Sequence, residues 1–353
     1  MIRNKALLAS NHLLYFSGSE IVLLEAAEYL QRNDFDVSVF AHVTSPPLRE
    51  EFDKLAVQWI NDPTTTNALD FDFIWHQHRT LPLFQFEESE SSQERTLIIG
   101  ARLSPFEPFE APGGIVEEGL QDLTVVNSDE TAQAMSSFGI EAEKIRIFHN
   151  AAPVAFHGNH RQISGLQNIL VISNHAPAEL LSGLQILKDG CLLKVEHIGL
   201  GGNPRRITPE VVQSADLVVT IGKSVQYALM GGIPVYCYDH FAGPGYIVEP
   251  IYDQARARNF SGRGWNDRKS PEKIAQEILS GFQEALNFAA TVREKEQQRF
   301  SLDFHLDSWR KKDAKVNIEK RLFVQTNQHL LLRERRNAQL IAREYVKEFR
   351  TRR

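Results

Sequence analysis

Apolar runs of strand length alternate with amphipathic stretches of helix length, and the alternation occurs twice along the chain. This pattern marks βαβ units around a parallel sheet, because parallel strands need a crossover and a helix can bury its apolar face there. In the first half, strands are predicted at Lys5–Ser10, Asp36–Ala41, Phe71–Trp75, Thr96–Gly100, Leu123–Val126 and Lys144–Phe148. Helices are predicted at Glu20–Arg32, where Leu23, Ala27 and Leu30 share one face, and at Asp129–Phe138, which Asn127-Ser128 can cap and Gly139 ends. In the second half, strands are predicted at Asn168–Ile172, Leu193–Ile198, Asp216–Thr220 and Pro234–Tyr238. Helices are expected near Pro177–Leu187, Thr208–Ser214 and Lys223–Met230.

Two Rossmann-like halves follow, residues 1–150 and 151–290, with residues 291–353 as a basic helical tail. The polar stretch from Asn150-Ala151-Ala152-Pro153 to Gln167 reads as the linker. Open α/β sheets bind ligands beyond the carboxyl ends of their strands, so a cleft faced by the two sheets is where function is expected. A length of 353 residues suits two such cores. The two cysteines, Cys191 and Cys237, lie in apolar runs and read as buried small hydrophobes in a reducing compartment. No apolar run approaches the length of a membrane span, and the N-terminus reads as a first strand rather than a signal peptide, so a cytoplasmic protein is expected.

The net charge of −6 is uneven. Residues 290–353 hold 17 lysines and arginines against 9 aspartates and glutamates, a surplus of 8 that leaves the first 289 residues at −14. Such a body repels a phosphate backbone, which argues against nucleic acid as a partner.

The segment Leu217–Leu229 passes from a buried strand through Gly222-Lys223-Ser224 into a helix. Free N–H groups at that helix start, the positive end of its dipole and the Lys223 ammonium suit a diphosphate. It is not a Walker A loop, since Leu217 stands where the first glycine belongs. In the alternative reading Gly222 only makes a tight turn and Lys223 is solvated. A second glycine-rich turn, Gly243-Pro244-Gly245-Tyr246, follows the next strand and is expected at the same sheet edge.

With these residues in view, the chain resembles the glycosyltransferase family 4 branch of the GT-B enzymes. Tyr227-Ala228-Leu229-Met230-Gly231-Gly232-Ile233-Pro234-Val235 looks like that family's helix, Gly-x-Pro-Val strand entry and glycine turn. Ser17-Gly18-Ser19-Glu20 is similar to its Gly-Gly-x-Glu loop. The run from Asn127-Ser128 through Glu143-Lys144-Ile145-Arg146-Ile147 to Asn150 follows its approach to the interdomain linker. The resemblance implies a GT-B fold and transfer of a sugar from a nucleotide-diphosphate sugar to a glycan or lipid-linked acceptor, probing Gly18, Ser19, Asn174, Gly222, Lys223, Ser224, Gly243, Gly245 and Tyr246 as donor-binding residues. Two departures matter. The family's paired glutamates fall on Val219 and Tyr227, and Ser173-Asn174-His175 replaces its basic loop. Whether the anomeric configuration is retained or inverted does not carry over.

His76-Gln77-His78-Arg79 ends a strand where the family has a histidine facing the sugar, so His78 is the candidate to take a proton or bind a hydroxyl. The alternative is a pair of structural histidines. A zinc site lacks a third ligand nearby, and Asp70-Phe71-Asp72 leads straight into a strand, so no cofactor and no metal are expected. In the loop Ser104–Pro112, Glu107 is the candidate base, with Glu110 beside it, and Arg102 is placed to meet a charged acceptor. Asn259–Trp265 is a third glycine-rich turn that can line the cleft. The tail, with an irregular stripe of Leu330, Leu331, Ile341, Tyr345 and Phe349, suits either an anionic membrane surface or a protein partner, or a helix packed on the body. The leading expectation is a metal-independent hexosyltransferase of surface polysaccharide or other glycan synthesis. The alternatives are a catalytically degenerate subunit that binds nucleotide sugar or scaffolds a glycan-assembly complex, and a nucleotide-sugar epimerase.

Overall fold

The computed structural model describes residues 3–88, 91–158, 161–313 and 316–351. Asn159 and His160 of the expected linker, and Arg352 and Arg353 of the basic tail, lie outside the described residues. The chain divides into two units: Met1–Asn127, Thr131–Ile147 and Leu306–Arg353 form one, and Ser128–Glu130 with Phe148–His305 the other.

The first unit is built on β1 (Asn4–Leu13), α1 (Gly18–Arg32), β2 (Phe35–Thr44), α2 (Leu48–Lys54), β3 (Gln58–Trp59), β4 (Phe73–Gln77), β5 (Leu97–Arg102), α3 (Ile115–Leu120), β6 (Leu123–Val126), α4 (Asp129–Ser137) and β7 (Ile145–Ile147). Its seven strands are all parallel, in the order β3-β2-β1-β4-β5-β6-β7. Strands β1, β4 and β5 are buried along almost their whole length, as the near-continuous apolar runs require when both faces are covered.

The second unit contains β8 (Asn168–Ile172), α5 (Ala178–Cys191), β9 (Lys194–Ile198), α6 (Pro209–Gln213), β10 (Leu217–Thr220), α7 (Lys223–Met230), β11 (Val235–Asp239), β12 (Ala242–Tyr246), α8 (Glu249–Ala257) and α9 (Pro271–Lys295). The sheet order is β12-β11-β10-β8-β9, parallel except for β12, which runs antiparallel to β11. The expected glycine turn at 243–245 is thus a strand. Gly243 passes so close to β11 that a Cβ would lie 2.0 Å from the Cys237 carbonyl oxygen, and Gly245 takes a φ of +89°. A residue with a side chain would push this edge off the sheet. Cys237 is buried, whereas Cys191 is exposed at the end of α5.

The tail is not an appendage. After α10 (Leu302–Lys312), α11 (Ile318–Thr351) lies on the first unit, where Val324, Leu331 and Ala338 enter the same core as Leu7, Phe40, Ile74, Phe84 and Ile98. That face has only short elements from the crossovers, the one-turn segment Leu81–Leu83 and α3, so the last helix of the chain supplies the missing layer. Its anchor is the buried pair Lys320 Nζ–Asp122 Oδ1 at 2.8 Å, with the ammonium also donating to the Thr96 carbonyl at 3.1 Å. Asn327 interrupts the helix with non-helical dihedrals, its amide donating to the Phe323 carbonyl. Of the stripe read from sequence, Leu331 is core and Tyr345 bonds His12, while Ile341 is 40% exposed. No helix of the described residues is long and apolar enough to cross a membrane.

Candidate functional site

In each sheet one strand has its successors on opposite sides, which opens a crevice at the carboxyl ends of the strands. In the first unit this lies between β1 and β4. The turn after β1 is organised by Glu20, which is 2% exposed and accepts from the N–H groups of Leu14 and Tyr15 and from the Ser17 hydroxyl. Gln77, at the end of β4, donates to the Ser19 carbonyl at 2.9 Å and so ties the two loops together. Gly18 and Ser19 form the first turn of α1, and a Cβ at Gly18 would meet nothing within 4 Å.

His78 follows β4 in a left-handed conformation (φ 57°) and is 4% exposed. Its Nδ1 accepts the Asn11 N–H at 3.2 Å, so the neutral ring carries its proton on Nε2. Burial, and then the charges of His12, Arg102 and His42, hold its pKa down at about 3. The ring is therefore neutral and suited to donate to a hydroxyl. His76 is fully buried against Gln121 Oε1 at 2.9 Å, and burial holds it well below the usual histidine range. Of the two histidines read together in the sequence, His76 is structural.

Arg102 does not meet an acceptor. It is 0% exposed, with Nη2 on Glu117 Oε2 at 2.7 Å and Nη1 on the His78 carbonyl at 3.1 Å. The cause is its position on β5, whose every residue is buried. Glu107 is exposed and caps the one-turn segment Pro108–Glu110. The neighbouring Glu110 is buried and accepts from the N–H groups of Leu103 and Ser104; burial pushes it up to about 7 against the pull of those donors and of Arg102.

In the second unit the crevice lies between β8 and β10. Gly222, at φ 65°, turns the chain from β10 into α7, its N–H bonding the Phe260 carbonyl. The N–H groups of Lys223 and Ser224 stand in the first turn, where a helix has no carbonyl of its own to offer. The Lys223 ammonium is 3.3 and 3.2 Å from the carbonyl oxygens of Asn150 and Ala151 and 5.0 Å from the Tyr227 ring, so it fastens the segment entering this unit to the start of α7. Around it, His149, Asn150, Asn259 and Phe260 all have φ between 50° and 55°. His149 Nδ1, Asn150 Oδ1 and Gln226 Oε1 are buried with no hydrogen-bond partner. Left-handed backbone and unsatisfied buried polar atoms each cost free energy and gather at functional sites.

After β8, Ser173 donates to Asp239 Oδ2 at 2.7 Å, and Asn174 Oδ1 accepts the Leu200 N–H at 3.0 Å, holding the glycine loop after β9. Asp239, 3% exposed at the end of β11, also accepts the His240 N–H. The remaining expected donor residues are elsewhere. Gly243 and Gly245 sit in β12, and Tyr246 is buried with its hydroxyl on the Ile278 carbonyl at 2.7 Å. Val219 and Tyr227 are both core, Tyr227 stacked on Phe156 at 4.0 Å. Among the described residues no group of three or more His, Cys, Asp or Glu side chains could hold a metal ion. Glu20 and Asp239 are the buried carboxylates that organise these two loops. Ser17-Gly18-Ser19-Glu20 carries the Ser-x-x-Glu helix-start pattern that signals the first, and a carboxylate ending a buried strand signals the second.

No family model matches the sequence, and no curated protein does. Solved structures do match. A glycosyltransferase from Rickettsia africae ESF-5 is 14% identical, over 87% of this chain and 96% of that one, with a TM-score of 0.52. Anabaena Alr3699/HepE in complex with UDP is 13% identical, over 86% and 98%, with a TM-score of 0.53. The same Anabaena protein in complex with UDP-glucose is 14% identical, over 87% and 98%, with a TM-score of 0.50. At these identities the likeness is one of fold: two Rossmann-like α/β units and a helical C-terminal tail, the GT-B architecture.

Proposed function

We propose that this chain is a glycosyltransferase that moves a sugar from a nucleoside-diphosphate sugar to a glycan or lipid-linked acceptor. The observation that carries the reading is the first turn of α7. It lies at the switch point of the second sheet, a helix start beside left-handed backbone at His149, Asn150 and Asn259 and the buried, unsatisfied His149 Nδ1, Asn150 Oδ1 and Gln226 Oε1. Such a turn meets the charge that builds up on a departing diphosphate. The GT-B fold, and solved relatives of that fold holding UDP and UDP-glucose, agree with a nucleotide sugar as donor.

In this reading Gly222, Lys223 and Ser224 form the diphosphate end of the site, with Lys223 fixing the turn through the Asn150 and Ala151 carbonyls, and Asn174 borders it. Gly18 and Ser19 present the corresponding turn of the first unit. His78 donates from Nε2 to a sugar hydroxyl, and the exposed Glu107 takes the acceptor's proton.

A second reading rests on one observation: the positions of the family's glutamates are core side chains, so a subunit that binds nucleotide sugar without turning it over fits the same geometry. One experiment separates the readings. Purified chain is incubated with UDP-, GDP- and dTDP-sugars, with and without glycan and lipid-linked acceptors. Acceptor-dependent nucleotide release supports transfer. Tight binding without release supports the binding subunit, and sugar interconversion without acceptor supports an epimerase. No binding of any nucleotide refutes all three.

A further inference from the structure

A cavity of about 520 Å3 opens in the first unit between the loop after β4 and the C-terminal half of α11. It is lined by Arg79, the glycine pair Gly113-Gly114 and the apolar Pro82, Ala338 and Ile341. Arg79 is half-buried, its Nε is sealed from solvent without a partner, and among the described residues no carboxylate lies within 4.0 Å of its guanidinium. A guanidinium that lines a cavity without a carboxylate partner is open to an anionic ligand, and two oxygens are what its fork is shaped to hold.

The glycines keep the space open. A Cβ at Gly113 would sit 3.5 Å from Arg79 Nη2, and one at Gly114 would sit 2.0 Å from Glu334 Oε1. Glu334 also lines the cavity, but its Oε2 is turned to the Val116 N–H at 2.9 Å, and burial, partly offset by that bond, raises its pKa. Asn337 also lines the cavity, and so do Leu340 and Ile341, which remain 43% and 40% exposed. A cation and hydrocarbon lining one cavity are the complement of an amphipathic anion.

We propose that this cavity is an acceptor subsite in which Arg79 binds a phosphate or carboxylate while the ligand's apolar portion lies on Pro82, Ala338 and Ile341. Its role as acceptor site rests on the transferase reading; the binding itself does not. Arg79 directly follows His78, so a ligand anchored there presents its hydroxyls toward the His78 end of the β4 loop. The arginine for a charged acceptor is then Arg79, not Arg102.

The test is isothermal titration calorimetry on the full chain with two pairs of probes: geranyl phosphate against geraniol, and octyl glucuronide against octyl glucoside. At least one anionic probe is expected to bind saturably and at least tenfold tighter than its neutral twin, and which one binds assigns the anion as phosphate or carboxylate. Arg79→Gln is expected to weaken that binding at least tenfold without lowering Tm, because Arg79 makes no ion pair among the described residues. Ile341→Glu, at an exposed position that folding tolerates, is expected to repel the anion to a similar degree. Equal binding of charged and neutral twins, or unchanged affinity in Arg79→Gln, overturns the inference. A parallel UDP titration keeps the two failures apart: UDP bound and anion refused sinks only the subsite, whereas UDP refused sinks the transferase reading.

Discussion

Lys320→Met tests whether the last helix belongs to the first unit's core. The ammonium is 2.8 Å from Asp122 Oδ1 and 3.1 Å from the Thr96 carbonyl, and the paired side chains are 5% and 6% exposed. Removing the cation leaves Asp122 as a buried carboxylate whose other oxygen still accepts the Ile98 N–H at 2.9 Å. Breaking a buried pair from one side costs about 3–5 kcal/mol. Asp122→Asn in the same background removes the stranded charge but can keep the bond to Ile98, so the double variant should recover about 2 kcal/mol of that loss. Urea unfolding followed by tryptophan fluorescence is a suitable assay, because Trp59, Trp75 and Trp309 all lie in the first unit. A loss below about 1 kcal/mol for Lys320→Met, or strictly additive single variants, would refute the anchoring role.

Acid should weaken the fold. His78 and His149 are held at about 3, and His42 at about 4, chiefly by burial, so their contribution is complete above the usual 6.5 and is lost as pH falls toward those values. Each costs roughly 2 kcal/mol by pH 5, and a Tm that does not fall between pH 7.5 and 5 would contradict this. Glu110 has the opposite sign: its protonated form is favoured up to about 7, so Glu110→Gln is expected to flatten any loss of stability between pH 5 and 8, read by urea midpoints. Gly243→Ala is expected to destabilise the second unit by more than about 2 kcal/mol with no ligand present, because its Cβ meets backbone; a change confined to nucleotide affinity would restore a ligand-loop role. Lys223→Met strips two carbonyls of their donor and should cost about 1–3 kcal/mol, with an unchanged unfolding midpoint as the refuting result.

The repeated strand and helix pattern made both sheets legible, since Lys5–Ser10, Phe71–Trp75, Asn168–Ile172 and Leu217–Thr220 each fall in buried parallel strands or their flanks. Local patterns do not encode long-range partners, and the errors fall there. Ala242–Tyr246 reads as a turn because its glycines suit one, yet the same residues suit a strand pressed against a backbone carbonyl. Arg102 reads as a site cation because charge on a strand end usually faces solvent, and only the fold reveals Glu117 beneath it. Lys223 reads as a solvated or ligand-facing cation, because its carbonyl partners at 150 and 151 are over seventy residues away in sequence. The tail's stripe looked irregular because α11 is interrupted at Asn327 and docks on a sheet made near the other end of the chain.

That last arrangement has a consequence for biogenesis. The first unit's strands are complete by Ile147, yet the helix that covers Leu7, Phe40, Ile74 and Phe84 begins only at Ile318. At ordinary ribosomal rates of about 5–20 residues per second, the apolar face waits roughly 10–35 s for its cover. Throughout that interval the sheet's apolar face is uncovered, while the later-translated unit already has all its own strands and α9. The first unit's core is therefore supplied with its last helix only after every strand of the second unit has been made.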